Sequence, residues 1–214
     1  HKVLIVIGHD DKVWGAKFGS LKEVTLNRML GEYLYELLAS DQSFEPVITQ
    51  RGGKYIPELA EFFETSEEKI LAYREERREA SANKNDVGDI DDDIQHNPVT
   101  EDVANILYGT NMWAQEQNFD LLLHIHFNDY PGRPRTSAGK YSGFAMYVPD
   151  RSLKNGERSI ALGEVLHEAL AQYQPQSNLF IEREGVIESE DLIALGARDS
   201  LDIPAVLVEY AYIA

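Results

Sequence analysis

The sequence predicts a single α/β domain with a twisted, mostly parallel sheet, helices on both faces and a charged helical insertion. Short apolar runs of strand length alternate with longer segments that carry apolar side chains at helical spacing. Several of these runs are almost continuously apolar, which is typical of strands buried on both faces. With 214 residues, of which 43% are hydrophobic, the chain is long enough to enclose one sizeable core.

The amino-terminal part of the chain predicts a strand, a helix and a second strand. Residues 2–8 form the first apolar run, and His9 begins a glycine-containing loop. Residues 20–23 read Ser-Leu-Lys-Glu, which matches a capping box at a helix start. Leucines then recur at helical spacing until about Ser40. Residues 45–49 predict the second, shorter strand.

Residues 54–98 differ in character from the rest of the 214-residue domain. The part from Glu58 to Ala80 is helix-prone and heavily charged, and residues 83–97 read as a loop with an acidic run at 89–93. Few of these residues are candidates for a core. We therefore expect an insertion laid over the domain, with a lid or regulatory role.

The carboxyl-terminal half again alternates helices and strands. A helix is predicted over residues 100–117, and the most apolar strand of the chain follows at 120–127. The predicted inner face of that helix consists of Val103, Ile106, Leu107 and Ala114. The remaining predicted elements are a strand at 141–148, a helix at 156–173, a short strand or turn at 191–195 and a last strand at 204–209.

Composition excludes several classes of function. The formal net charge is −17, with 37 acidic against 20 basic residues, which argues against nucleic acid as a partner because phosphate binding needs clustered Lys and Arg. The chain has no cysteine, so neither a disulfide framework nor a thiolate metal site is available. No apolar stretch is long enough to predict a membrane span.

Three apolar runs end on ionisable side chains. The first leads to His9, the strand at 120–127 contains His126, and the last strand closes on Glu209. In open α/β sheets the carboxyl ends of parallel strands form the ligand-binding edge. If the three strands are parallel, these side chains converge on one edge. Two imidazoles and a carboxylate there indicate a metal with a general base nearby.

The residues alone leave the ligand set open. His9, Glu23 and one of His124 or His126 could supply three zinc ligands, with Glu209 free to act as a base. Because residues i and i+2 of a strand face the same side, a site of His9, His124 and His126 is also chemically reasonable. Glu23 would then serve only as a helix cap.

The pattern of these residues resembles that of the zinc-dependent N-acetylmuramoyl-L-alanine amidases, which cleave peptidoglycan with a single α/β catalytic domain. The similar segments occur in the family's order over roughly residues 1–51 and 105–214. They are Val3 to His9 followed by Gly15-Ala16, Glu23 with Leu26-Asn27, Asp120 to Asn128, and Pro204 to Glu209.

The resemblance implies a role for each candidate residue. The implied Zn²⁺ ligands are His9, Glu23 and His126. Glu209 corresponds to the family's catalytic glutamate and is expected to act as the general base. His124 stands where the family usually has serine, so we expect it, together with Asn128, to support the ligands or to contact the substrate.

The implied reaction is hydrolysis of the amide bond between N-acetylmuramic acid and L-alanine of the stem peptide. The expected partner is peptidoglycan or a muropeptide, and a regulatory partner could act on residues 54–98. The resemblance also implies an extracellular, periplasmic or cell-wall location, although no signal peptide is visible in this chain.

Three departures from the family pattern leave alternatives open. Asp10-Asp11 follow His9 where glycines are usual, and Thr110-Asn111 occupy the region of an expected arginine. Tyr210-Ala211-Tyr212 replace the usual Gly-Phe after the glutamate. Another zinc amidohydrolase or a carboxypeptidase on a related scaffold is the first alternative. A non-catalytic cell-wall-binding module is the second, and the retained Glu209 argues against it.

Overall fold

A computed structural model describes residues 1–82, 99–130, 132–134 and 136–213. The apolar runs of the sequence form its longer strands, and two small hairpins lie between them. The strands are β1 (Lys2–Ile7), β2 (Lys17–Phe18), β3 (Leu21–Lys22), β4 (Glu45–Ile48), β5 (Gln50–Arg51), β6 (Lys54–Tyr55), β7 (Leu121–Asn128), β8 (Ala145–Pro149), β9 (Val186–Ser189) and β10 (Ala205–Tyr212).

Six of these strands form the central sheet, in the order β4-β1-β7-β10-β8-β9. All neighbours in it are parallel except β10 and β8, which are antiparallel. The predicted α/β fold with a mostly parallel sheet is therefore confirmed. Ile7 pairs with Ile125, and His126 pairs with Glu209, so the ends of β1, β7 and β10 lie side by side at one edge.

Five helices of the described chain flank the sheet. They are α1 (Glu23–Ala39), α2 (Pro57–Thr65), α3 (Glu67–Ala82), α4 (Glu101–Glu116) and α5 (Gly156–Leu170). Three short 3₁₀ turns, at Phe180–Glu182, Ile193–Leu195 and Ala197–Asp199, connect the carboxyl-terminal elements. None of the helices within the described ranges has the length and apolar character needed to cross a membrane.

Alternate positions along each strand fill two separate cores, one on each face of the sheet. The first face is covered by α1 and α5. Its buried side chains include Val3, Ile5, Ile7, Ile125, Met146, Val148, Val206 and Val208. The second face is covered by α2 and α4, which contribute Leu59, Trp113 and Ala114 over Leu4, Val6, Leu122, Ala205 and Leu207. The predicted placement of helices on both faces follows from this alternation.

The described part of the expected insertion holds few core residues, as predicted, but two of its side chains are buried in the domain. Leu59 of α2 is fully buried, and Ile70 of α3 is 4% exposed. Burying one such side chain stabilises a fold by roughly 1.5–3 kcal/mol, so α2 and α3 belong to the domain's own core. Residues 83–98, with the acidic run at 89–93, lie outside the described residues. The lid or regulatory role of the segment stays a prediction.

The buried face of α4 also differs from the predicted one. Val103, Ile106 and Leu107 are only half-buried, whereas the inner face carries Tyr108 and Asn111. Asn111 Nδ2 donates hydrogen bonds to the carbonyl of Ile193 at 2.7 Å and to Ser200 Oγ at 3.3 Å. A polar contact with the 3₁₀ turns therefore orients this helix, and hydrophobic spacing alone does not reveal it.

Element boundaries differ from the predictions mainly in the carboxyl-terminal third. The strand predicted at 141–148 begins only at Ala145, and the helix predicted to reach Tyr173 ends at Leu170. Residues 191–195 contain the 3₁₀ turn Ile193–Leu195 and no strand. β9 is absent from the predicted elements, because its four residues include Glu188 and lack a clear apolar run.

Candidate metal centre

Three ionisable side chains meet at the edge of the sheet where β1 and β7 end. His9 follows β1, His126 lies near the end of β7, and Glu23 is the first residue of α1. His9 Nε2 is 3.1 Å from Glu23 Oε2, and His126 Nδ1 is 2.9 Å from Glu23 Oε1. One ligand atom from each of the three residues lies within 4.8 Å of the other two. The structure thus brings the three predicted ligands together.

The chemistry of this triad, His9, Glu23 and His126, fits a zinc ion. Catalytic zinc takes three protein ligands of imidazole and carboxylate type and keeps a further position for water. The side chains of His9 and His126 are 26% and 19% exposed, whereas that of Glu23 is 5% exposed. The triad is therefore open to solvent on its histidine side and closed behind the carboxylate.

Two glycines leave room for the triad. A Cβ atom on Gly15 would lie 2.2 Å from Glu23 Oε2 and 2.4 Å from His9 Cδ2. A Cβ atom on Gly8 would lie 2.4 Å from His126 Cε1. All three distances are too short for any side chain, so the backbone can approach the ligand residues this closely only with glycine at these positions.

The backbone of His9 adopts a conformation that side chains rarely take. Its φ is 66°, in the left-handed region. Gln50 Nε2 holds it there with a 2.7 Å hydrogen bond to the His9 carbonyl oxygen, and Arg28 Nη2 in turn donates to Gln50 Oε1 at 3.2 Å. Strained residues that are fixed by their surroundings cluster at functional sites, and this strain aims the imidazole at Glu23.

Glu23 begins α1 and does not cap it. The preceding residue, Lys22, is extended and makes no side-chain capping bond. The N–H groups of the first two helical residues donate instead to the carbonyls of Ala16 and Trp14, at 2.9 and 3.2 Å. The capping-box interpretation of residues 20–23 is therefore wrong, and with it the alternative that Glu23 serves only as a cap.

The surroundings of Glu23 favour its charged form. Burial by itself raises the pKa of a carboxyl group, but hydrogen bonds from His126 and His9 and their positive charge outweigh burial, so the pKa of Glu23 lies well below its usual range. The N–H groups of Ala16 and Phe127 donate to the same carboxylate at 2.8 and 3.2 Å. Glu23 is thus ionised, as a metal ligand must be.

Glu209 lies beside the triad without being part of it. The pairing of β10 with β7 places Glu209 opposite His126. Glu209 Oε2 is buried and has no hydrogen-bond partner among the described residues. Burial raises the pKa of Glu209 well above its usual value, and the negative charges of Glu23 and Glu182 act in the same direction. A carboxylate oxygen without a partner, next to a candidate metal site, is available to accept a proton.

The other histidine of β7, His124, lies beneath the edge of the sheet that carries the triad. It is 2% exposed and forms a hydrogen bond with the backbone of Ala194. Burial, together with the charge of His126, lowers the pKa of His124 to about 3, so its ring is neutral. It does not belong to the group of side chains that could share one ion within the described chain. The structure therefore does not support the alternative of three histidine ligands.

Asn128 contacts a buried carboxylate that the sequence analysis does not single out. Its Nδ2 donates to Glu182 Oε1 at 2.7 Å, and Glu182 is 1% exposed. Glu182 also accepts hydrogen bonds from the hydroxyls of Tyr147, Ser177 and Tyr212, at 2.8, 2.5 and 2.7 Å. These five residues form the Glu182 cluster, which lies next to Glu209 on the sheet. Glu182 follows the short apolar run Leu179 to Ile181, but Phe180 and Ile181 are exposed, so this run does not indicate that the carboxylate is buried.

A comparison with protein families matches the chain, over residues 3–214, to the model described as N-acetylmuramoyl-L-alanine amidase. A search of curated protein sequences finds no significant match. The matched region contains all three residues of the triad and the strand that carries Glu209.

Solved structures with a similar fold are amidases. The N-acetylmuramoyl-L-alanine amidase from Clostridium difficile 630 has a TM-score of 0.60 at 15% identity, covering 99% of this chain and 80% of that one. Apo Ami1 from Mycobacterium abscessus has a TM-score of 0.61 at 15% identity, covering 99% and 83%. CwlD from Clostridioides difficile, solved with the GerS lipoprotein, has a TM-score of 0.58 at 16% identity, covering 99% and 82%. At these identities the likeness shows a shared fold.

Proposed function

This chain belongs to the N-acetylmuramoyl-L-alanine amidase family, and we propose that it is a zinc-dependent hydrolase of peptidoglycan. The bond cleaved is the amide between the lactyl group of N-acetylmuramic acid and L-alanine of the stem peptide. The observation that carries the proposal is the triad of two imidazoles and an ionised carboxylate, with the unpartnered oxygen of Glu209 beside it.

In this proposal His9, Glu23 and His126 hold the metal. A zinc ion bound there supplies a Lewis acid that polarises the scissile carbonyl and lowers the pKa of a bound water towards neutrality. The side chains of His9 and His126 are partly exposed and that of Glu23 is buried, so the substrate approaches from the histidine side. The bonds from Ala16 and Phe127 keep the Glu23 carboxylate in one orientation.

Glu209 is the proposed general base. Its Oε2 accepts a proton from the attacking water and returns that proton to the amine of L-alanine as the amide bond breaks. Burial keeps bulk water away from this oxygen and so preserves its basicity. His124 supports this edge of the sheet from beneath, and Asn128 links the end of β7 to the carboxylate of Glu182.

We also propose a substrate, a site of action and a regulatory partner for the enzyme. Peptidoglycan is its substrate, so the site of action is the cell wall, whether extracellular or periplasmic. A partner that acts on residues 54–98 is proposed as a regulator. The CwlD structure, which contains a lipoprotein partner, supports the idea that amidases of this fold can work in complexes.

The test compares the parent protein with Glu209→Gln on purified peptidoglycan in the presence of zinc. We expect the variant to keep its zinc content and to lose turnover by about 10²–10⁴-fold, the usual contribution of a general base. Zinc is measured by mass spectrometry and turnover by labelling the newly freed amino-terminal alanine. Glu184→Gln, on an exposed side chain of the same charge, is the matched control.

Product analysis separates the proposal from its alternatives. Freed amino-terminal alanine supports the amidase, whereas a freed carboxyl-terminal amino acid would identify a carboxypeptidase. Turnover of Glu209→Gln at the parent rate would show that Glu209 is not the base. Binding of peptidoglycan without any product from the zinc-loaded parent protein would favour a binding module.

A further inference from the structure

Two lysines oppose each other in the small hairpin next to the triad. Lys17 of β2 and Lys22 of β3 are direct cross-strand partners. Like charges in this position destabilise a hairpin. No carboxylate of the described residues lies within salt-bridge distance of either ammonium group. The part of the chain that the structure describes therefore leaves two neighbouring positive charges without a salt-bridge partner.

Both ammonium groups lie over the ring of Trp14. Lys22 Nζ is 3.4 Å from the ring centroid and Lys17 Nζ is 5.7 Å from it. Trp14 Nε1 donates a 2.7 Å hydrogen bond to the carbonyl of Asp11, which fixes the ring. The ring attracts the cations by cation–π interaction, but it does not neutralise them. Trp14 is 43% exposed, so the ring and the two charges form part of the surface.

The hairpin of β2 and β3, which we call the lysine hairpin, borders the triad directly. Gly15, between Trp14 and Lys17, is the glycine whose Cβ atom would collide with Glu23 and His9. A cavity of about 390 Å³ opens here, and Trp14, Gly15 and Lys17 form one of its walls. Through Gly15, which packs against Glu23 and His9, the cavity adjoins the triad.

The opposite wall of the cavity is electrically balanced. Arg133 donates to both oxygens of Asp129, at 2.6 and 2.8 Å, so the two charges cancel. Arg133 Nη2 also donates to the carbonyl of Lys17 at 2.8 Å, and its guanidinium lies 5.5 Å from the ring centroid of Phe18. Arg133 therefore holds the hairpin in place. The uncompensated charge of the cavity wall comes from Lys17, and Lys22 adds a second positive charge beside it, over the ring of Trp14.

The lysine hairpin is a positive region on a strongly negative chain. Residues 12–22 contain three lysines and no acidic residue, whereas the whole chain carries a formal charge of −17. An anionic ligand is repelled by most of such a surface, and a local cluster of opposite sign concentrates it at one place. The charge pattern therefore points to an anionic group as the occupant of the cavity.

We propose that the cavity between the lysine hairpin and Arg133 binds a free carboxylate of the stem peptide. The inference rests on the proposed function and names the substrate group that this part of the site recognises. A stem peptide continues from L-alanine to D-glutamate, which carries a free carboxylate. An extended chain advances about 3.3–3.6 Å per residue, so this group lies roughly 7 Å from the scissile bond. Lys17 lines the same cavity as Gly15, the glycine that packs against the triad.

The experiment compares N-acetylmuramoyl-L-alanyl-D-glutamate with its diamide as substrates. For the acid, the double variant Lys17→Ala/Lys22→Ala should raise KM about tenfold and leave kcat within twofold, because Coulomb attraction acts on binding and not on the reacting bond. For the diamide, KM should change less than twofold. Lys22→Arg, which keeps the charge, should restore most of the affinity lost in Lys22→Ala.

Lys154→Ala is the matched control, because Lys154 pairs with Asp202 before the start of β10, at the opposite edge of the sheet. Equal losses on acid and diamide, or an unchanged KM for the acid, would overturn the carboxylate subsite. Calorimetry of the acid on the Glu209→Gln protein keeps the two proposals separate. If the parent protein cleaves neither compound, the proposed activity is wrong. Binding of the acid that depends on Lys17 and Lys22 would still support the subsite. Binding that does not depend on these lysines, or no binding at all, would refute the subsite.

Discussion

The two histidines of β7 illustrate how position along one strand decides chemistry. His124 and His126 point to the same face of the sheet, yet one is 2% exposed beneath the edge and the other reaches Glu23. Identical side chains therefore have different surroundings. The pKa of His124 falls to about 3 because burial penalises the imidazolium ion, and this leaves a neutral structural ring.

We expect His126→Ala to lose bound zinc and His124→Ala to keep most of it. His126 is a member of the triad, whereas His124 bonds the backbone of Ala194. Truncating the buried ring should instead lower stability by about 2–4 kcal/mol, as other large-to-small core changes do. Zinc per protein after dialysis and thermal melting of both variants check this. Metal loss from His124→Ala with retention in His126→Ala would reverse the ligand assignment.

Among single residues, those at the ends of apolar strands were predicted better from the sequence than those in other parts of the chain. Charged groups that close an apolar run stand out, and His9, His126 and Glu209 are of this kind. Glu23 was ambiguous, because its local pattern matched a capping box that needs no distant partner. Glu182 could not be predicted, since its burial depends on hydroxyls contributed by residues up to 35 positions away.

The Glu182 cluster ties the 3₁₀ turn Phe180–Glu182 to three strands. Its donors come from β7, β8 and β10 and from the loop before the turn. Burial, reinforced by the charge of Glu182, raises the pKa of Tyr147 above its usual value, so this hydroxyl remains a donor. The carboxylate is therefore the common acceptor that fixes the turn against the sheet.

We expect Glu182→Ala to destabilise the fold by about 3 kcal/mol, because each buried donor left without a partner costs about 1–3 kcal/mol and some will find water. For a chain of this size that corresponds to a fall in Tm of about 6–12 °C. Calorimetry at neutral pH measures it. Glu184→Ala, on an exposed side chain two residues further on, should shift Tm by less than about 2 °C, the usual result for a surface change. Equal shifts in the two variants would show that the cluster does not anchor the turn.

The elements that the sequence predicted well are those whose burial is uniform. β1 and β7 are apolar along most of their length, so their identity follows from composition. The inner face of α4 was predicted correctly at Ala114 but not at Val103, Ile106 and Leu107, because Asn111 turns inward to bond Ile193 and Ser200. Such a contact depends on elements about 80 residues away, which no local pattern contains.

On the scale of the whole molecule, the topology assembles the site from distant parts of the chain. β1, β7 and β10 are neighbours in the sheet, although they lie near the start, the middle and the end of the sequence. α1 adds Glu23 from a fourth position. An ion bound by the triad would join the end of β1, the start of α1 and the end of β7. Binding at the triad is therefore coupled to the stability of the whole fold.

We accordingly expect zinc to raise the Tm of the metal-depleted protein. A ligand that binds only the folded state stabilises it by about 2.7 kcal/mol at one hundred times its Kd, which for this chain length corresponds to about 5–11 °C. Melting curves with and without added zinc measure the shift, and a chelator should abolish it. His126→Ala should melt at the same temperature in both conditions, whereas His124→Ala should melt lower but keep the zinc-dependent increase. An equal zinc-dependent increase in His126→Ala would place the ion elsewhere and contradict the proposed metal centre.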